Sequence, residues 1–262
     1  MKKLIFLVLV VLSPLTVLRV CAQVQGYKQF NNEIDFNHDL STKWALETNV
    51  GQSWTTKPGH ESVFSSLAQL YLREWVHYMP SDKWKLSFFY AFYYNRYVPE
   101  IDQRKAPEWR SAVQATYYIT RKRMILTTRW RIEDRHIQNA DTVFEAVNRL
   151  RGQVKVVYPI NGKVIAEKVF YGIGSEELFF KTSSKVSGSS LFDRNRLTLG
   201  VGYGITNNLQ IEVAYSNEYL PRPGTDQNYN AFQCNIIFNN LLPRLGHALF
   251  GKKRDPESSD TN

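Results

Sequence analysis

From Arg123 to Tyr158 the chain alternates between two chemistries almost residue by residue, and this limits its fold more than any other feature. Met124, Leu126, Thr128, Trp130 and Ile132 share one parity, while Arg123, Thr127, Arg129, Arg131, Glu133 and Arg135 share the other, with Ile125 the exception. After a polar interruption the scheme returns, with Leu150, Val154, Val156 and Tyr158 alternating with Arg149, Arg151, Gln153 and Lys155. Successive side chains of a strand point to opposite faces, so each segment has one apolar and one arginine-rich face.

The same period recurs in about eleven segments, near 28–39, 42–53, 63–77, 84–97, 109–119, 122–134, 146–158, 164–174, 194–205, 208–218 and 229–240. In the fourth, Trp84, Leu86, Phe88, Tyr90, Phe92 and Tyr94 oppose Lys85, Ser87, Phe89, Ala91, Tyr93 and Asn95. In the ninth, Leu197, Leu199, Val201 and Tyr203 oppose Arg194, Arg196, Thr198 and three glycines. In the tenth, Leu209, Ile211, Val213 and Tyr215 oppose Gln210, Glu212, Ala214, Ser216 and Glu218. The eighth has no clear phase, because Glu167 and Lys168 sit side by side. Helical periodicity is confined to Leu241–Phe250.

Three features point to a membrane barrel. Most segments reach the ~9–11 residues that a tilted strand needs to cross a bilayer, where a soluble strand runs ~5–6. Short turns at 40–43, 79–83, 120–122, 161–163 and 206–208 alternate with longer links near 54–62, 98–108, 135–145, 179–193 and 219–228. Tight periplasmic turns and longer outside loops produce that alternation. Aromatic residues gather at segment ends, among them Trp44, Trp54, Trp75, Tyr78, Trp84, Trp109, Tyr117, Tyr158 and Tyr219, where rings suit a membrane interface. The expectation is all-β: an antiparallel up-and-down transmembrane β-barrel of about 10–12 strands over residues 23–240. Bacterial barrels usually have an even count, so the eleven segments predict ten or twelve strands. A soluble periplasmic β-barrel or two-sheet sandwich binding an apolar ligand is the alternative.

Residues 1–22 read as a signal peptide: Lys2 and Lys3, the apolar run Leu4–Leu12, then Val20-Cys21-Ala22 before Gln23. A lipid anchor on Cys21 is a poorer match because Leu18-Arg19-Val20 precedes it. Losing Lys2, Lys3 and Arg19 lowers the formal net charge from +9 to +6, without a basic block of the kind that binds nucleic acid. Only Cys234 then remains, which excludes an internal disulfide. No later apolar run is long enough for a membrane helix. Residues 241–262 read as a short amphipathic piece and a charged, disordered tail.

The inward parity collects Arg110, Arg129, Arg131, Arg149, Arg151, Arg194 and Arg196, with Glu33, Asp35, Glu47, Glu133 and Glu212 around the wall. Two readings follow: a conduit that favours small anions, since charged rings set selectivity, or a salt-bridged plug, since each guanidinium can bridge several acceptors. The expected partners are outer-membrane lipid and small anions or other solutes, with no nucleic acid, metal or cofactor. An outer-membrane enzyme would need a nucleophile beside a base. His60, near Ser62, Ser65 and Ser66, and His136 fall in expected outside loops, but no motif joins them. The expectation is a non-enzymatic barrel.

The run Phe192-Asp193-Arg194-Asn195-Arg196-Leu197, then Gly200-Val201-Gly202-Tyr203 and the hairpin Thr206-Asn207-Asn208-Leu209, forms a distinctive strand pair. With the turns at Lys43-Trp44 and Lys83-Trp84 and the strand Asn148-Arg149-Leu150-Arg151, it resembles the domain of unknown function 2490 family, outer-membrane-barrel-like proteins of Gram-negative bacteria. The resemblance spans the mature chain. It implies an envelope barrel and brings no activity, substrate or catalytic residue.

Overall fold

The computed structural model describes residues 24–241, apart from 58, 100–104, 140, 186 and 223. The signal segment and nearly all of the 241–262 piece lie outside the described residues. Eleven strands follow one another: β1 (Val24–Asp39), β2 (Trp44–Thr55), β3 (Ser66–Ser81), β4 (Trp84–Asn95), β5 (Ala106–Arg121), β6 (Ile125–Gln138), β7 (Phe144–Pro159), β8 (Phe170–Lys181), β9 (Phe192–Thr206), β10 (Leu209–Leu220) and β11 (Asp226–Asn239). Each pairs with its sequence neighbours, and β1 pairs with β11 to close the barrel. No helix among the described residues is long and apolar enough to cross a membrane.

The closure corrects two expectations. The count of eleven falls within the expected 10–12 but is odd rather than even, and one pair of the otherwise antiparallel barrel is parallel. Ten antiparallel pairs leave the first and last strands pointing the same way, so β1 and β11 join in parallel, from Val24↔Asp226 to Asn37↔Asn239. The seam needs no further strand because its register is continuous. Odd counts also occur in mitochondrial barrels.

The eighth strand is also corrected: it lies at Phe170–Lys181 rather than 164–174, and residues 160–169 form a long link rather than a tight turn. Asn161 holds this link together, donating from Nδ2 to Lys168 O at 3.0 Å and accepting from Phe170 N at 2.7 Å. Lys168 takes φ +61°, which breaks the alternation. The link then lies against Gly204, whose N donates to Val169 O at 3.0 Å. A Cβ on Gly204 would stand 2.0 Å from Ala166 O, so this approach requires glycine. The link after β6 is shorter than expected, which puts His136 on the strand, facing outward beside Asp134 at 2.8 Å.

The outside of the barrel is apolar. Val50, Leu72, Phe88, Val113, Ile132, Leu150, Leu199 and Phe232 are each 44–59% exposed. Stacked or tilted aromatic pairs follow the short-turn rim: Trp44 with Tyr78, Trp84 with Tyr117, Phe170 with Tyr203 and Phe36 with Phe238. Trp75 departs from the expected girdle, since β3 turns it inward, where it is buried against Phe89. Inside, the packing is tightest toward the long links. There Asn95, Glu108, Ile137, Val147, Leu220 and Tyr229 are fully buried, and Val98 from the link after β4 packs on Ile137 and Val147.

Candidate functional site: the charged lumen

Strand parity sends the polar side chains of all eleven strands inward, where they line one cavity of about 560 Å³. Arg110, Arg129, Arg131, Arg149, Arg151, Arg196, Glu33, Asp35, Glu47, Glu133 and Glu212 all border it. Arg194 does not border it. It is buried beyond the cavity, bound to Glu218 at 3.0 Å and to Asp193 at 3.0 Å.

Cross-strand register builds the basic wall. Arg110 faces Arg135 across β5–β6, and Arg131 faces Arg151 and Glu133 faces Arg149 across β6–β7. Like charges directly opposite destabilise a sheet unless counter-charges intervene. They do so in an interlocked belt. Glu108 takes Arg110 at 2.5 Å and Arg135 at 2.6 Å. Glu133 takes Arg149 at 2.7 Å and Arg151 at 3.1 Å. Glu177 takes Arg151 at 2.9 Å and also binds Arg129. Glu218 takes Arg196 at 2.7 Å, and Asp193 takes Arg222 at 2.9 Å. Eight arginines (Arg110, Arg129, Arg135, Arg149, Arg151, Arg194, Arg196 and Arg222) thus share five carboxylates, and Arg131 stands among them bound to Gln114 instead. The wall keeps an excess of positive charge. Aromatic faces help to accommodate it: Arg110 lies 3.6 Å from the Tyr93 centroid, and Arg151 lies 4.5 Å from that of Phe179.

The acidic residues at the other strands form a separate group. Glu33 accepts from the Tyr71 hydroxyl at 2.5 Å and pairs with Arg73. Asn49 donates from Nδ2 to both Asp35, at 2.5 Å, and Glu47, at 2.9 Å. His77 lies 3.0 Å from Glu47, and Tyr171 donates to Glu212 at 2.9 Å. The lumen is therefore unevenly charged: most of its arginines lie on β5–β9 and outnumber the carboxylates they share, while on β1–β3 Glu33, Asp35 and Glu47 face the single Arg73.

Several belt members were not among the expected site residues. Glu108 was legible, since it lies two positions before Arg110 on the same parity. Arg135 and Glu218 likewise share the inward parity of their strands. Glu177 was hidden by the unphased eighth strand. Asp193 has the wrong parity for the interior until a register shift is known: Phe179 pairs with Arg194 but Phe180 with Phe192, which leaves Asp193 as an extra residue buried beside Arg194. Arg222 comes from a link, where alternation says nothing.

The residues weighed for catalysis do not assemble. Ser62 Oγ accepts from Phe64 N at 3.2 Å as a cap, while Ser65 Oγ accepts from Lys57 N at 2.9 Å and donates to Thr55 O at 3.1 Å. Among the described residues, no group of three or more His, Cys, Asp or Glu is placed to hold a metal ion.

An apolar exterior, a charged interior and a continuous ladder define an eleven-stranded β-barrel turned inside out relative to a soluble protein. The chain belongs to the family described as Protein of unknown function (DUF2490), which matches residues 23–229. No curated protein matches it. Among solved structures it is similar to a "Bacterial polysaccharide outer membrane secretin", at 9% identity and a TM-score of 0.47. That likeness covers 74% of this chain and 63% of the other, so the chain spans less than two thirds of that protein's length.

Proposed function

We propose that this protein spans the outer membrane of the Gram-negative envelope as a non-enzymatic barrel, with its short turns in the periplasm and its long links outside. Its lumen is a basic vestibule entered from the short-turn end and closed at the other, rather than an open pore. The observation that carries the reading is the outward face, where apolar side chains such as Ile132 and Leu199 stand 57% and 59% exposed on strands that each pair on both sides around a closed ring. Closed barrels are the only sheet structures that leave no backbone group unpaired in hydrocarbon. The aromatic pairs on the short-turn rim support an interface there.

The closed end is supported by the full burial of Glu108, Ile137, Val147, Leu220 and Tyr229 toward the long links. Within the lumen, Arg129, Arg196 and Glu47 remain 19%, 27% and 26% exposed. The serines near His60 are bound to backbone groups, which supports the non-enzymatic reading.

Fractionation and planar-bilayer recording test both parts. The expected result is a detergent-requiring, heat-modifiable barrel that inserts without a steady conductance. Solubility without detergent would overturn the membrane placement, and a stable porin-sized current would overturn the closed end.

A further inference from the structure

Among the described residues, Arg131 is the one arginine of the basic wall without a carboxylate within 4.0 Å. Its Nε and Nη2 both donate to a single oxygen, Gln114 Oε1, at 2.9 and 2.7 Å. Its guanidinium lies 4.9 Å from the Trp75 ring centroid and 5.6 Å from that of Phe89. Gln114 is neutral and the rings supply only partial negative charge. A guanidinium carries five N–H donors, and among the described residues the Nη1 pair has no acceptor. The side chain is nonetheless only 6% exposed, and it borders the lumen cavity.

Its neighbours add to the imbalance. Arg151 is its direct cross-strand partner, and Arg129 follows two residues away on the same face. The carboxylates nearby are already committed, Glu133 to Arg149 and Arg151, and Glu177 to Arg129 and Arg151. A buried charge is expected to be paired, and the space beside this one is cavity.

We propose that the lumen binds a small oxyanion, of the phosphate or carboxylate class, on Arg131 and its neighbouring guanidinium groups. The planar fork fits two oxygens of one ion, which favours oxyanions over chloride. The proposal rests on the vestibule reading for access, because the ion must enter from the short-turn end.

Trp75 is the one tryptophan bordering the cavity, so intrinsic fluorescence of the full chain in detergent reports the site. Inorganic phosphate, succinate and chloride are titrated at matched ionic strength. A saturable change with phosphate or succinate and none with chloride is expected, the tighter ligand identifying the class. Trp75→Phe should remove the optical signal. Arg131→Met should weaken binding at least tenfold. Gln114→Glu should do the same by giving Arg131 an internal carboxylate, and it decides the matter if Arg131→Met does not fold. The site is refuted if the folded wild type gives neither a saturable response nor binding heat with either oxyanion. Binding by Gln114→Glu within threefold of wild type would refute it equally. Loss of the site in a barrel that still fractionates with the outer membrane would leave the membrane reading standing. Oxyanion binding by a protein soluble without detergent would do the reverse.

Discussion

Replacing Glu108 with glutamine tests whether the belt holds the barrel together. Glu108 is fully buried and accepts five hydrogen bonds: from Arg110 at 2.5 and 3.0 Å, from Arg135 at 2.6 and 3.1 Å and from Asn95 Nδ2 at 3.0 Å. Glutamine keeps the shape, removes the charge and turns an N–H₂ group toward donors. Arg135, itself 3% exposed, then has no carboxylate partner. Breaking a buried pair by removing one member costs roughly 3–5 kcal/mol, because the remaining charge stays desolvated. At ~1.4 kcal/mol per factor of ten, the folding equilibrium should fall by roughly two to four powers of ten.

Urea unfolding in lipid vesicles, followed by tryptophan fluorescence, measures this. Glu61→Gln is the matched control, because the Lys28–Glu61 pair lies in solvent and should contribute nothing measurable. Adding Arg135→Met to Glu108→Gln should recover about 1–2 kcal/mol by removing the stranded charge. A Glu108→Gln barrel within ~1 kcal/mol of wild type would refute the reasoning. It would mean that water in the lumen screens the belt.

Three further outcomes follow from the geometry. Gly204→Ala should destabilise by ~1–3 kcal/mol, because its Cβ meets the backbone at Ala166, while Gly152→Ala, with no atom within 4 Å, should not; equal melting temperatures would contradict the packing of the 160–169 link. Ile132→Arg, on the outward face, should cost ~2–4 kcal/mol in bilayers and lower assembly yield, and an unchanged yield would argue against lipid contact there. Epitopes placed just before Val24 and just after Leu241 should lie on opposite sides of the membrane, since β1 and β11 run in parallel; antibody access to both in intact cells would exclude the seam.

The individual strands and their inward faces were legible in the chain alone. A strand's side chains alternate whatever it pairs with, so Arg129, Arg131, Arg149 and Arg151 declare a common face locally. Glycine, lysine and tight turn residues mark most of the hairpins in the same local way. The chain did not reveal which carboxylate each arginine meets. Glu177 binds Arg151 and Arg129 across 26 and 48 residues, and that contact depends on the phase of β8, which a folded-back link shifts by several residues. Nor could alternation place Asp193 inside, because a register shift there reverses its parity. The closure was least legible of all. Odd or even, parallel or antiparallel, it is decided where the first strand meets the last, two hundred residues apart, by a register that no local pattern encodes. Alternation, set by backbone geometry, made the faces of this barrel. Tertiary structure closed the ring, paired the charges and left Arg131 without an acid.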